Sequence, residues 1–220
     1  MPGPQTECVR SVEGIQTITL TTHIISFFDR ENIYDVMDTL NEVGVNKKAA
    51  RFWFKLNEAT EIRVKCGGGL TDTAIVGDCV GQGTAGASLA SALNLDSGLQ
   101  SYFSKSNDEM KYGEIRLEYF AYQDDIAKPN KGVLEAQIAN MKIQHLFDEK
   151  GLDAHPDKTS FLLLGSKKCK EKIEKDLERN PLTFGDFLVK RKKSEKYLGQ
   201  MIHEDEPKDK SGFEQNIRPG

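Results

Sequence analysis

Apolar residues along this chain recur in two periods. β-Branched and aromatic runs mark strands, and a repeat of three to four residues marks helices. The stretch "IQTITLTTHIISFF", residues 15–28, is bounded by Gly14 and Asp29 and predicts a strand. "DRENIYDVMDTLNEVG", residues 29–44, predicts a helix. Asp29 supplies its cap, Ile33, Met37 and Leu40 fall at helical spacing, and Gly44 ends it. A second helix is expected in "KKAARFWFKLNEA", then a strand at "EIRVKC" and a turn at "GGG". "VGQGTAGASLASALNLDSGLQSYF" opens with glycines and becomes rich in Ala, Leu and Ser, the pattern of a tight turn feeding a helix.

After the loop "SKSNDEMKYGE" comes a strand-forming run that contains Tyr119, Phe120 and Tyr122 and closes on Asp124 and Asp125. A polar turn with a proline is expected next. "KGVLEAQIANMKIQHLFDEKG" then predicts an amphipathic helix with Leu134, Ile138, Met141 and His145 on one face. "KTSFLLLGS" predicts a strand, "KCKEKIEKDLERNP" a charged helix and "KYLGQMI" a short final strand, before a polar end. Strand, helix and strand around a central acidic hairpin predict an α+β fold, a small antiparallel sheet with helices packed on one face.

Composition narrows the class. With 38% apolar and 29% charged residues, the 220-residue chain is long enough to bury a core. The net charge of -4 gives no global basic field, although residues 167–180 and 189–196 are locally basic. Cys8, Cys66, Cys79 and Cys169 are scattered without a C-x-x-C pair, which predicts reduced thiols and an intracellular location, cytoplasmic or nuclear. No signal-peptide core and no apolar window of about 18 residues stands in the sequence, so no membrane span is expected.

The chemistry lies in the adjacent aspartates. Like charges at a hairpin tip repel unless a cation sits between them. Two carboxylates suit a hard divalent ion such as Mg²⁺, which keeps water and substrate phosphates in its remaining positions. Asp-Asp is also frequent in plain turns, and the pair alone leaves both readings open.

The ordered segments around the pair carry a resemblance. "AYQDDI" resembles the aromatic-x-Asp-Asp motif of reverse transcriptases, in particular those of retrotransposons and group II introns. "SFFDRENIYDVM" is similar to the first palm motif of that family and "GQGTAGASLAS" to its Gln-Gly segment. "GLDAHPDKTSFLLLG" is similar to its lysine motif and "KYLGQMI" to its primer-grip hairpin. The resemblance spans roughly residues 23–203. It implies a polymerase palm over 23–203, a strand-like lead-in over 1–22, a polar tail over 204–220, and fingers and thumb largely missing.

It also implies roles for individual residues. Asp124 and Asp125 would hold catalytic metal, two Mg²⁺ in the family, and Lys158 would approach the triphosphate. Phe28 would stand at the sugar gate. Gln82 and Gly83 would approach the template and the incoming base. Tyr122 and Gln123 would lie at the primer terminus, with Tyr197, Leu198 and Gly199 steadying the primer. The implied partners are an RNA template, a DNA primer and deoxynucleoside triphosphates. One position departs from the pattern. The family places a metal-binding aspartate six residues before Asp29, and in "HIISFFD" that position is His23. Imidazole supplies neither the negative charge nor the bridging oxygens of a two-magnesium site.

Two functions are therefore expected to compete. One is RNA-directed DNA polymerase activity that is weak or absent. The other is a catalytically silent palm that binds nucleic acid weakly through its basic runs. A phosphoacceptor receiver, which also pairs acids on Mg²⁺, would need a sheet of continuously apolar parallel strands, and the hairpin order speaks against it.

Overall fold

The structure is a computed structural model that describes residues 17–58, 60–81, 83, 86–104, 110–112 and 115–204. It is a mixed α+β fold, as the alternating patterns imply. Five strands form the main sheet: β1 (Thr17–His23), β2 (Phe120–Tyr122), β3 (Asp125–Asn130), β4 (Ser160–Leu164) and β5 (Lys190–Arg191). Their order is β5-β4-β1-β3-β2, antiparallel except for the parallel pair β4 and β5. A hairpin of β6 (Ser194–Tyr197) and β7 (Gln200–His203) follows. The helices are α1 (Phe27–Arg30), α2 (Ile33–Glu42), α3 (Lys47–Asn57), α4 (Ala87–Phe103), α5 (Val133–Lys150) and α6 (Lys167–Arg179). No helix among the described residues is long and apolar enough to cross a membrane.

Register divides the sheet into two faces. Ile18 pairs with Leu163 and Asn130, and Leu20 with Phe161 and Lys128. Because side chains alternate along a strand, Ile18 and Leu20 share a face with Ile126, Phe161 and Leu163. All five belong to the principal core with Leu95, Leu99 and Phe103 of α4 and Ile143, Leu146 and Phe147 of α5. The opposite face carries Thr21, His23, Asp125 and Ser160. Helices α4 and α5 pack on the first face; on the second, Thr21 and Ser160 are buried while His23 and Asp125 are half-buried. A second, smaller core joins Val36 and Leu40 of α2 to Ala50 of α3 and Ala87 and Ala90 of α4.

Several sequence expectations are corrected. The first strand ends at His23, not Phe28, and the next helix does not start at Asp29. Asp29 lies exposed inside the one-turn α1, while Asn32 caps α2 by accepting from Tyr34 N at 2.8 Å. The residues after the aspartates form β3 instead of a turn, and β3 is buried from Ile126 to Asn130. Pro129 is accommodated because β2 pairs with β3 only as far as Ala127, leaving an edge where a missing N–H breaks no bond on that side.

The face of α5 chosen from sequence is the wrong one. Leu134 and Met141 are 71% and 63% exposed, whereas Ala136 and Ala139 are buried. The small alanines let the helix approach the sheet more closely than the leucine side would. At Gly98 of α4 a Cβ would come within 2.7 Å of Leu146, so glycine is what lets α4 and α5 touch. "KYLGQMI" is part of a hairpin, not one strand, and Leu198 and Gly199 turn it with φ of 48° and 82°.

The boundaries drawn from sequence shift likewise. Thr17–Thr22 are part of the central strand β1, while residues 1–16 and 205–220 lie outside those described. Glu204 is no loose tail residue. Its carboxylate, 3% exposed, accepts from Leu163 N at 2.9 Å and takes Arg191 in a two-point contact, both at 2.9 Å. Lys170 also donates to its carbonyl. Removing the carboxylate leaves the buried Leu163 N–H without its acceptor, while Arg191 keeps only Glu174 among the described residues. Glu204→Ala is expected to lower unfolding free energy by about 3 kcal/mol in urea denaturation.

A second buried acid sits behind α1. Glu31 is 2% exposed, and Asn94 donates to it at 2.9 Å while Asn94 itself accepts from Thr39 and Lys150. Burial pushes the Glu31 carboxyl above its ordinary 4.5, against the opposing pull of Ser91, Asn94 and Lys150. Its charged form therefore opposes folding. The contribution of Glu31 to stability is present below pH 4.5 and is lost as pH rises through the elevated folded value. Glu31→Gln is expected to stabilise the fold at pH 7, with the gain fading towards pH 4 in paired thermal melts.

Candidate active site

The end of β1 and the β2–β3 hairpin meet by register. His23 is the pairing partner of Asp125, and Tyr122 pairs with Asp125 from the other side. Gln123, with φ of 53°, and Asp124 form the turn between them. Ile24 N donates to the Asp124 carbonyl at 2.8 Å, which ties the aspartate turn to the chain leaving β1. Residues 155–159 tuck beneath: His155 N donates to the His23 carbonyl at 2.8 Å, and Thr159 N closes a turn on the His155 carbonyl. That turn delivers Lys158.

Four charged or titratable side chains thereby converge. His23 Nδ1 lies 2.8 Å from Asp125 Oδ1, and His23 Nε2 lies 3.1 Å from Asp124 Oδ2. Lys158 Nζ lies 3.2 Å from the same Nε2. One nitrogen thus faces both an anion and an ammonium. With a proton on Nε2 it donates to Asp124; without one it accepts from Lys158. His23 is 21% exposed and the aspartates 36% and 39%, so one side of the group stays open to water.

That side is a cleft of about 220 Å³ whose lining includes Thr21, His23, Asp125, Lys158, Glu195 and Tyr197. Tyr197, from β6, donates its hydroxyl to the Phe120 carbonyl at 3.1 Å and thereby fixes the hairpin against β2. Burial, with the Asp125 charge adding to it, pushes the Tyr197 phenol up to about 12. A polar chain that sequence reasoning missed forms the floor. Ser160 gives its proton to Glu195 at 2.8 Å and meets Thr21 at 2.8 Å. Thr21 stands two residues before His23 and shares its strand face. That spacing was the available signal, but the partners on β4 and β6 depend on register.

Of the residues expected at the site, the structure gathers Asp124, Asp125, Lys158 and Tyr197 around His23. Gln123 occupies the intervening turn, and Tyr122, 56% exposed, lies on the edge strand β2. Leu198 and Gly199 form the tip of the β6–β7 hairpin. Phe28 packs against both hydrophobic cores with its ring 5.5 Å from Phe27, so it is at least in part a core residue. Gly83 is exposed, with φ of 83°, in the turn ahead of α4. Gln82 lies outside the described residues.

The basic stretch 189–196 is largely neutralised. Lys190 pairs with Asp157 at 2.8 Å, Arg191 with Glu174 and Glu204, and Lys192 with Glu195. The Lys190 ammonium accordingly holds the Asp157 carboxyl below its usual range. A different basic surface stands out, where Lys47, Lys48 and Arg51 line a cleft of about 470 Å³ between α2 and α3. Compared with models of known protein families and with curated proteins, the chain matches none.

The Asp125 charge reaches the Tyr197 phenol directly, so Asp125→Asn is expected to move that phenol down from about 12. The ¹³C shift of labelled tyrosine Cζ followed against pH, with Tyr197→Phe as the assignment control, checks it.

Proposed function

We propose that the chain is a palm of the reverse-transcriptase type, an RNA-directed DNA polymerase centre of a retroelement whose nucleotidyl transfer is weak or lost. One observation carries the reading. Four segments far apart in sequence, ending in His23, the Asp124–Asp125 turn, Lys158 and Tyr197, open onto one cleft on the sheet face opposite α4 and α5. These are the segments in which the family resemblance resides. In this reading a primer–template duplex lies over that face, Tyr122 and the Leu198–Gly199 tip flank the primer end, and Lys158 meets the triphosphate.

The donor atoms do not fit the magnesium pair that the resemblance implies. Mg²⁺ takes oxygen ligands in an octahedron, and a two-ion site needs a carboxylate that spans both ions. At the position of that carboxylate stands the His23 ring, both of whose nitrogens already face aspartate oxygens. No transfer step is therefore assigned through magnesium here. Loss of the electrostatic stabilisation it would provide accounts for weak activity.

A second reading, nucleic-acid binding without catalysis, is favoured by that same closure of the aspartates on His23. The cleft of Lys47, Lys48 and Arg51 offers it phosphate contacts.

Primer extension on an RNA template with Mg²⁺ separates the two. The unaltered chain is expected to extend little or not at all, and His23→Asp to raise extension at least about 100-fold. Asp124→Asn in that background should abolish the gain. If His23→Asp does not extend a primer, even when fused to the fingers and thumb of an active retroelement polymerase, the polymerase reading falls.

A further inference from the structure

The mismatch with magnesium points to a different cation. With the ring proton on Nδ1, facing Asp125 Oδ1 at 2.8 Å, neutral His23 keeps a lone pair on Nε2. Nε2 and Asp124 Oδ2, two acceptors, then face each other across 3.1 Å. In that tautomer the two acceptors need a positive charge beside them, from Lys158 or from a metal ion, and ligand atoms of His23, Asp124 and Asp125 lie within 4.8 Å of one another. Two ligand atoms bound to one tetrahedral zinc at about 2.0–2.1 Å stand about 3.3–3.4 Å apart, so a small outward shift of Asp124 from 3.1 Å would admit the ion. A carboxylate on the far nitrogen of a ligating histidine is the arrangement that fixes imidazole orientation and raises its basicity at metal centres, and Asp125 occupies that place.

The backbone already holds these groups. His23 and Asp125 are register partners, and Ile24 N grips the Asp124 carbonyl, so little ordering cost remains for binding. The adjoining cleft of about 220 Å³ leaves room for water or substrate in the open positions. Lys158 Nζ, 3.2 Å from Nε2, now supplies the positive charge. It is an exposed side chain on a flexible stem and is free to withdraw.

We infer that His23 Nε2 and the carboxylate of Asp124, with Asp125 behind the imidazole, form a site for one divalent cation of the zinc class. Imidazole with carboxylate suits zinc and its neighbours, and affinity for such ligands rises along the series towards copper and zinc, whereas magnesium gains nothing from nitrogen. The inference concerns the same cleft as the palm reading but needs neither nucleic acid nor turnover, so the two fail separately.

The test is calorimetric titration of the chelator-stripped full chain with Zn²⁺ and, separately, with Mg²⁺. One Zn²⁺ is expected to bind at least about 100-fold more tightly than Mg²⁺. His23→Ala and Asp124→Asn should each abolish that preference. Asp125→Asn should weaken Zn²⁺ by about 10–100-fold at unchanged stoichiometry, and Lys158→Ala should tighten it. Circular dichroism reports folding of each variant; if His23→Ala misfolds, Asp124→Asn in the turn carries the test. Co²⁺ substitution should give a spectrum without thiolate charge transfer. Zn²⁺ binding no tighter than Mg²⁺, unchanged binding in Asp124→Asn, or a thiolate band from Cys66, Cys79 or Cys169 would each overturn the inference.

Discussion

The alignment of β1 against β3 is the constraint on which the site rests. With His23 opposite Asp125, these two residues share a face with Thr21 and Ser160, while Ile18, Leu20 and Ile126 lie on the other. A slip of one residue would exchange the faces, burying His23 in the core and turning Ile18 and Leu20 to solvent. The apolar residues packed beneath α4 and α5 therefore fix the register: Ile18, Leu20, Ile126 and Phe161 hold the sheet in the one alignment that leaves His23 beside the aspartates. The site's geometry is maintained by hydrophobic burial on the far side of the sheet.

The charges in the cleft form a nearly self-compensating group. Two aspartates meet an imidazole and an ammonium within hydrogen-bond distance, and Nε2 of His23 is contested by Asp124 and Lys158. A carboxylate at position 23 would leave three anions in want of metal. A histidine satisfies one aspartate outright and reaches towards the other. Further out, Glu204 ties β7 to β4 and β5, and Tyr197 pins β6 to β2. The hairpin beside the cleft is thus held at both ends.

Much of the fold was legible because its helices and strands carry local signals. The glycine turn feeding α4, the charged repeat of α6 and the β-branched run of β1 were each read from short windows. Misreadings arose where local signals competed. Asp29 and Asn32 are both able to cap a helix, and the choice of Asn32 follows from the chain turning out of β1 through α1. Both sides of α5 are apolar. Alanine size decided which side meets the sheet, a matter of fit against neighbours that helical spacing does not express. Pro129 argued against a strand until the short reach of β2 left it an edge.

The sequence by itself determined the residue types available to the chemistry, an aspartate doublet, a lysine in a turn ahead of a strand and a histidine six residues before Asp29. Covalent order and short-range periodicity are enough for that. Only the tertiary structure decided that these residues meet, that both nitrogens of His23 face carboxylates, and that Thr21, Ser160 and Glu195 form the floor. The Thr21–Ser160 and His23–Asp125 contacts join positions more than a hundred residues apart, and Ser160 meets Glu195 across 35. They are set by strand register and core packing, in which each alignment is chosen by the burial of the whole sheet and not by the residues that come into contact.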